Sequence, residues 1–216
     1  GTGGHVIPAK IIKDHLKDKY EIYYSSDVRG LKYLSADINK TIVIDTPRID
    51  LSIFFPHKII KLIYLIFKIF FFLKKNKIKK IISIGGYMSL PIIISARILN
   101  LSIFLLEPNL VLGRANKFFL NFSKKILCYS DLLLNFPKRY KHQIELIRPL
   151  VFKAFYQIGK IHDKDKKFCF LICGGSQGAK IFDDLAKEAM ISISKRYSIK
   201  VVQQTSKENI ESLRNF

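Results

Sequence analysis

Apolar positions along the chain switch between helical and strand spacing, and short breakers separate the runs. Val6 to Leu16 carries apolar residues three and four apart and predicts a helix. Tyr20 to Tyr24 and Thr41 to Ile44 are β-branched or aromatic runs and predict strands. His57 to Lys75 predicts a long helix, Lys80 to Ile84 a strand, Gly85-Gly86 a turn, and Ser89 to Leu99 a helix. Leu101 to Leu106 predicts a strand and Gly113 to Phe122 a helix, with short strands at Lys125 to Tyr129 and Gln143 to Ile147. Phe168 to Cys173 reads as a buried strand, Ala179 to Ser194 as a helix, and Ile199 to Gln203 as a last strand.

Strand, turn and helix in repetition imply an α/β fold, a parallel sheet with helices on both faces. The pattern breaks after Pro149, where a polar stretch carries the charge run Asp163 to Lys167, and then restarts. Two doubly wound domains follow: 1–150, a linker at 151–167, and the beginning of a second, truncated domain at 168–216. A Gly-rich turn normally follows a strand, yet the chain opens directly on Gly-Thr-Gly-Gly-His. It therefore reads as a fragment.

Of 216 residues, 49% are hydrophobic and 25% charged, enough to bury a core and too apolar for intrinsic disorder. Net charge is +20 and is spread along the chain rather than held in a tail. Ile, Lys, Phe and Asn are abundant together, as an AT-rich genome would produce, so basicity alone does not argue for a nucleic-acid partner. No helix-turn-helix, zinc-finger or RNP-type motif appears either. Cys128, Cys169 and Cys173 form no CxxC pair and read as buried free thiols, which disfavours a disulfide scaffold and a zinc site.

Two Gly-rich turns precede helices, Gly1 to His5 and Gly174 to Gly178, and a third, Gly85-Gly86-Tyr87, follows a strand. Such turns let backbone N–H groups approach an anion, and a helix N-terminus adds partial positive charge. Equally, glycine can simply permit a tight strand-to-helix turn. Neither the P-loop nor the G-x-G-x-x-G spacing is present, so a nicotinamide enzyme is disfavoured. His5 is the histidine within a glycine loop and can titrate near neutral pH. Glu107, at a strand end beside Asn109, is the rival proton acceptor. His15, His57, His142 and His162 lack partners at metal-ligand spacing, so no metal and no cofactor is expected.

In order, GTGGH, IGGYMSLP, LEPNLVLGRANKF and CGGSQGAK resemble the membrane-associated glycosyltransferase family that completes lipid II. The resemblance spans nearly the whole chain. It implies the two-domain GT-B fold, with acceptor on the first domain and sugar nucleotide mainly on the second. It further implies inverting transfer of N-acetylglucosamine from UDP-GlcNAc to undecaprenyl-pyrophosphoryl-N-acetylmuramoyl-pentapeptide, at the cytoplasmic face of the bacterial inner membrane. By the resemblance, donor contacts fall on Thr2, Gly3, Gly4, Asn109 and Ser176, and His5 occupies a position where the family also has histidine. Two departures stand out. Leu106 and Pro108 replace the family's usual His and Gln around Glu107, and Val151 stands where a donor-contacting arginine is expected.

The helix HKIIKLIYLIFKIFFFLKK, 57–75, is apolar almost all round, and eight lysines but no acidic residue lie between Ser52 and Lys80. Lys61, Lys68 and Lys75 form one stripe, flanked by Tyr64 and Phe71 on one side and by Leu65 and Phe72 on the other. Ile59, Ile63, Ile66 and Phe70 lie opposite, as the expected core face, with Leu62, Ile69 and Leu73 on one shoulder. Lys61 and Lys68 interrupt the run too often for a span. A helix lying in an anionic lipid interface, its lysines snorkelling, fits this pattern best. Two other classes remain: another GT-B enzyme, such as a nucleotide-sugar epimerase or glycolipid glycosyltransferase, and a non-catalytic basic module binding membrane or nucleic acid.

Overall fold

The computed structural model describes residues 3–31, 33–47, 55–157, 167–174 and 181–214. Its chain divides into two units, 1–157 and 158–216. In the first unit the order is α1 (Gly3–Leu16), β1 (Tyr24–Ser26), α2 (Val28–Leu31), β2 (Thr41–Val43), α3 (Phe55–Lys75) and β3 (Lys80–Ser83). It continues with α4 (Leu90–Ile98), β4 (Ser102–Glu107), α5 (Arg114–Phe119), β5 (Lys125–Cys128) and β6 (Ile144–Leu146). The second contains β7 (Phe168–Ile172), α6 (Ile181–Ser194), β8 (Ile199–Gln203) and α7 (Ile210–Arg214).

Every paired strand runs parallel. One sheet has the order β3-β4-β5-β6, another is the pair β1-β2, and the second unit holds β7-β8. Parallel strands need crossover helices, and those helices cover the sheet. Consequently β4 is buried on both faces: Ile103, Leu105 and Leu106 are sealed from solvent. Leu65, Ile69 and Leu73 of α3 and Ile93 and Ala96 of α4 close one core cluster with Ile126 and Cys128 of β5. Where α3 and α4 meet, the buried Ser95 hydroxyl lies 2.8 Å from both the Ile66 and Pro91 carbonyls, so a small polar residue is satisfied within the contact.

Several expectations are corrected here. Helix α1 begins at Gly3, so Gly3, Gly4 and His5 form a first helical turn instead of a loop. The first strand is Tyr24–Ser26 and not 20–24. Part of the expected linker belongs to the first unit: the Lys153 backbone N–H donates to Asp14 at 2.8 Å and its ammonium pairs with Asp18 at 2.7 Å. Strand β7 is largely exposed, and so are Cys169 and Cys173; only Cys128 is the buried thiol expected. Burial, with a smaller contribution from the Glu107 charge, pushes the Cys128 thiol up to about 11.

The rotation of α3 differs as well. Its inward stripe is Leu62, Leu65, Ile69 and Leu73, spaced three and four apart, whereas Ile63 is half exposed. Replacing Ile69, which is 1% exposed, with Ala should destabilise the first unit by about 2–5 kcal/mol in chemical denaturation. Phe67→Ala, on the 59% exposed face, should change stability by less than about 0.5 kcal/mol. Equal losses would mean that the helix packs with a different face inward.

Candidate active site

Three chain segments converge at the C-terminal ends of the strands. The turn after β3 is the first. Gly85 and Gly86 have φ of +81° and +85°, a left-handed conformation that side-chain-bearing residues resist. Ser83 and Ser89 pin this turn: the Gly85 N–H donates to the Ser83 hydroxyl at 3.3 Å, and the Ser89 hydroxyl donates to the Gly85 carbonyl at 3.0 Å. Tyr87 reaches across to donate to the Pro47 carbonyl.

The second segment is the start of α1. A Cβ placed on Gly86 would lie 3.7 Å from the His5 ring, so His5 and the glycine turn are neighbours. Within a helix, N–H groups of the first turn have no carbonyl partner. The Gly3-Gly4 start therefore still presents backbone donors at a helix N-terminus although it is helical. His5 is open on one side, yet partial burial of its ring pushes the imidazole below the ordinary value of 6.5. The charges of Glu107 and Asp27 pull it the other way.

The third segment follows β4. Glu107 is 3% exposed and its carboxylate is fully engaged. One oxygen accepts from the Asn109 backbone N–H at 3.3 Å and its side-chain amide at 3.0 Å. The other accepts from the Gly113 N–H at 2.8 Å and the Asn116 amide at 3.0 Å. Asn116 also donates to the Leu106 carbonyl, which leaves its own amide oxygen buried, without a hydrogen-bond partner and turned toward Gly85.

The structure thus brings His5, the Gly85-Gly86 turn and the Glu107–Asn109 segment into one neighbourhood. Glu107, expected as a rival base, holds the 108–113 loop with all its acceptor capacity committed. Asn109 is exposed, with its amide tied back to Glu107. Thr2 and Ser176 lie outside the described residues. Lys153 is held on α1 by Asp14 and Asp18. Asn116 escaped the sequence reading although it lies within LEPNLVLGRANKF; its only signal was an amide residue on the buried side of a short helix. No group of three potential metal ligands occurs among the described residues.

Residues 1–128 match the glycosyltransferase family 28 N-terminal domain. The chain belongs to glycosyltransferase family 28. It is 46% identical over 99% of its length to a Pelagibacter ubique (strain HTCC1062) protein named UDP-N-acetylglucosamine--N-acetylmuramyl-(pentapeptide) pyrophosphoryl-undecaprenol N-acetylglucosamine transferase, and it covers 60% of that relative. A protein of the same name from Rickettsia canadensis (strain McKiel) is 33% identical over 95% of the chain, which covers 59% of it. Among solved structures, Acinetobacter baumannii MurG superposes with a TM-score of 0.73 at 24% identity, over all of this chain and 59% of that one. That likeness shows the fold, an α/β architecture of the GT-B type. The chain spans about 60% of the length of these relatives.

Because all four groups facing the Glu107 carboxylate are donors, Glu107→Gln has no amide orientation that satisfies them. It should lower the unfolding free energy by about 1–3 kcal/mol, read by urea denaturation. An unchanged midpoint would show that the four contacts do not hold the loop in solution.

Proposed function

We propose that the complete protein transfers N-acetylglucosamine from UDP-GlcNAc to the lipid-linked acceptor undecaprenyl-pyrophosphoryl-N-acetylmuramoyl-pentapeptide, as a step of peptidoglycan synthesis. The observation that carries this is the 46% identity, sustained over 99% of the chain, to a relative bearing that activity in its name. In this reading an acceptor hydroxyl attacks the anomeric carbon of the sugar, the bond to the diphosphate breaks, and configuration inverts. Two kinds of help are needed: a base for the hydroxyl proton, and positive potential for the departing UDP.

His5 suits the first role. An imidazole held below its ordinary pKa is neutral near pH 7 and able to accept a proton. Glu107 acts instead by holding the loop that carries Asn109. The start of α1 at Gly3-Gly4 suits the diphosphate through backbone N–H donors, and by the family resemblance Thr2 and Ser176 are donor contacts. This reading requires no metal or cofactor.

Membrane attachment is assigned to α3, peripherally and on the cytoplasmic face. Among the described residues no helix is long and apolar enough to cross a membrane. Yet α3 leaves Ile60, Ile63, Tyr64, Phe67 and Phe71 exposed along one face, Ile60 at 66% and Phe71 at 64%. Lys68 and Lys75 border that face. Lys61 also pairs with Asp45 at 2.7 Å. Leu65 and Phe72, expected at the lipid contact, are corrected: Leu65 is 5% exposed in the core, and Phe72 packs against the core with its ring edge-on to Tyr23. A lipid surface fits a face of aromatic and aliphatic groups rimmed by lysine better than a nucleic acid does.

In the full-length enzyme, His5→Ala should lower turnover by roughly 10²–10⁴-fold with little change in donor affinity. The lowered histidine pKa fixes the sign of the pH effect. Turnover should stay high at neutral pH and fall on the acid side, below 6.5, as the folded-state imidazole takes up a proton. A turnover that ignores pH there would remove His5 from the proton transfer.

For attachment, Phe67→Ser with Phe71→Ser should release the protein from both neutral and anionic vesicles, since burying each ring contributes about 1.5–3 kcal/mol. Lys68→Gln with Lys75→Gln should weaken binding to anionic vesicles only, by about 1 kcal/mol per lysine. Co-sedimentation measures both, and a bound fraction unchanged in both variants would locate the anchor elsewhere.

A further inference from the structure

Residues 44–47 leave β2 and reach the glycine turn. Ile44 is sealed in the core and its N–H donates to the Ser26 carbonyl at 2.9 Å, so the root of this segment is fixed beside β1. Each of the next three residues then makes one outward contact. The Asp45 carboxylate accepts from the Lys61 ammonium of α3 at 2.7 Å. The Thr46 hydroxyl donates to the Met88 carbonyl at 3.2 Å, and the Pro47 carbonyl accepts from the Tyr87 hydroxyl. One short segment thus ties α3 to the turn beside His5.

The two ends of this tie differ in character. At the turn the contacts are hydrogen bonds in a part-buried setting, and Ser83 and Ser89 hold the same turn from its other side. At α3 the contact is an ion pair open to water, where such pairs contribute little and a competing anion replaces one partner readily. Lys61 is also placed to meet such an anion. It stands two turns before Lys68 on the border of the exposed apolar face, and Ile60 and Tyr64 of that face lie within one turn of it.

We propose that residues 45–47 form a strap on the glycine turn, and that Lys61 exchanges Asp45 for the phosphate of an anionic lipid headgroup when α3 meets a membrane, which loosens the strap. This rests on the membrane attachment of α3 proposed above. An anionic leaflet acts on both members of the pair, attracting Lys61 and repelling Asp45, so the separated state is favoured at that surface and the paired state in solution. Without the ion pair the strap is held only at its root and at Tyr87 and Met88. Those two residues then move with it. The crevice at Gly85-Gly86 and His5 opens where a lipid-linked acceptor resides and stays strapped elsewhere.

Hydrogen–deuterium exchange of the full-length protein tests the strap independently of any sugar transfer. Phosphatidylglycerol vesicles should speed exchange across residues 85–90 at least threefold, with Lys125–Cys128 as the unchanged reference. Phosphatidylcholine vesicles should bind through the apolar face and leave that exchange as it is in solution. Asp45→Asn should show the faster exchange already in solution and gain nothing from either vesicle. The swapped pair, Asp45→Lys with Lys61→Asp, should return solution exchange to the wild-type rate, which loss of a merely structural side chain would not allow. Asp45→Asn exchanging like wild type in solution would overturn the strap. Co-sedimentation with anionic vesicles but unchanged exchange at 85–90 would overturn the lipid response while leaving the attachment of α3 standing. An equal rise with inorganic phosphate alone would also overturn it, by reducing the effect to ion screening. Failure to co-sediment with either vesicle would remove the attachment reading and the lipid response together, and the Asp45→Asn comparison in solution would still decide the strap.

Discussion

A parallel sheet exposes both faces to whatever covers them, and its strands can be joined only by crossovers long enough to be helices. In this chain β4 carries that constraint, with Ile103, Leu105 and Leu106 pointing to opposite faces and all sealed. Covering it brings α3 and α4 together over the sheet and buries the stripe Leu62, Leu65, Ile69 and Leu73. The crossovers also deliver every loop after a strand to the same edge. The glycine turn after β3 and the Glu107 loop after β4 are neighbours for that reason, without any sequence proximity.

Polar satisfaction then sharpens the site. A carboxylate buried at a strand end is costly unless donors surround it, and Glu107 collects four of them from Asn109, Gly113 and Asn116. The same network seats Asn116 against Gly85, where a Cβ would meet its amide oxygen at 3.1 Å. Glycine at 85 is therefore required twice, by its φ and by this close approach. The carboxylate works as a structural hub, which is why the proposed proton acceptor is the half-open imidazole of His5.

The exposed side of α3 follows from the inward side. An apolar helix with one stripe committed to the core must leave its remaining apolar residues outside, and Ile60, Tyr64, Phe67 and Phe71 are outside. A patch of this size on a folded surface has a use. Lys68 and Lys75 border it while Lys61 is paired with Asp45, and the proposed lipid contact rests on this face.

Much of the fold was legible in the sequence because the period of apolar residues is a local property: 2 in strands, 3.6 in helices. The strands read at 41–44, 80–84, 101–106 and 199–203 from apolar runs and breakers lie within one residue of β2, β3, β4 and β8, and the order of glycine-rich motifs pointed to the family. The Gly85-Gly86 turn was legible too, since a left-handed turn needs glycine wherever it occurs. Three things were decided only by tertiary contacts. Helix α3 is apolar all round, so periodicity could not choose its inward stripe; packing against α4 and the sheet turned Leu65 in and Ile63 out. The four donors around the Glu107 carboxylate were placed by the 108–113 loop and α5, and nothing local in the sequence announces them. Strand β7 reads as buried, yet burial requires partners on both faces, and the sequence of a strand names its own preference without supplying them.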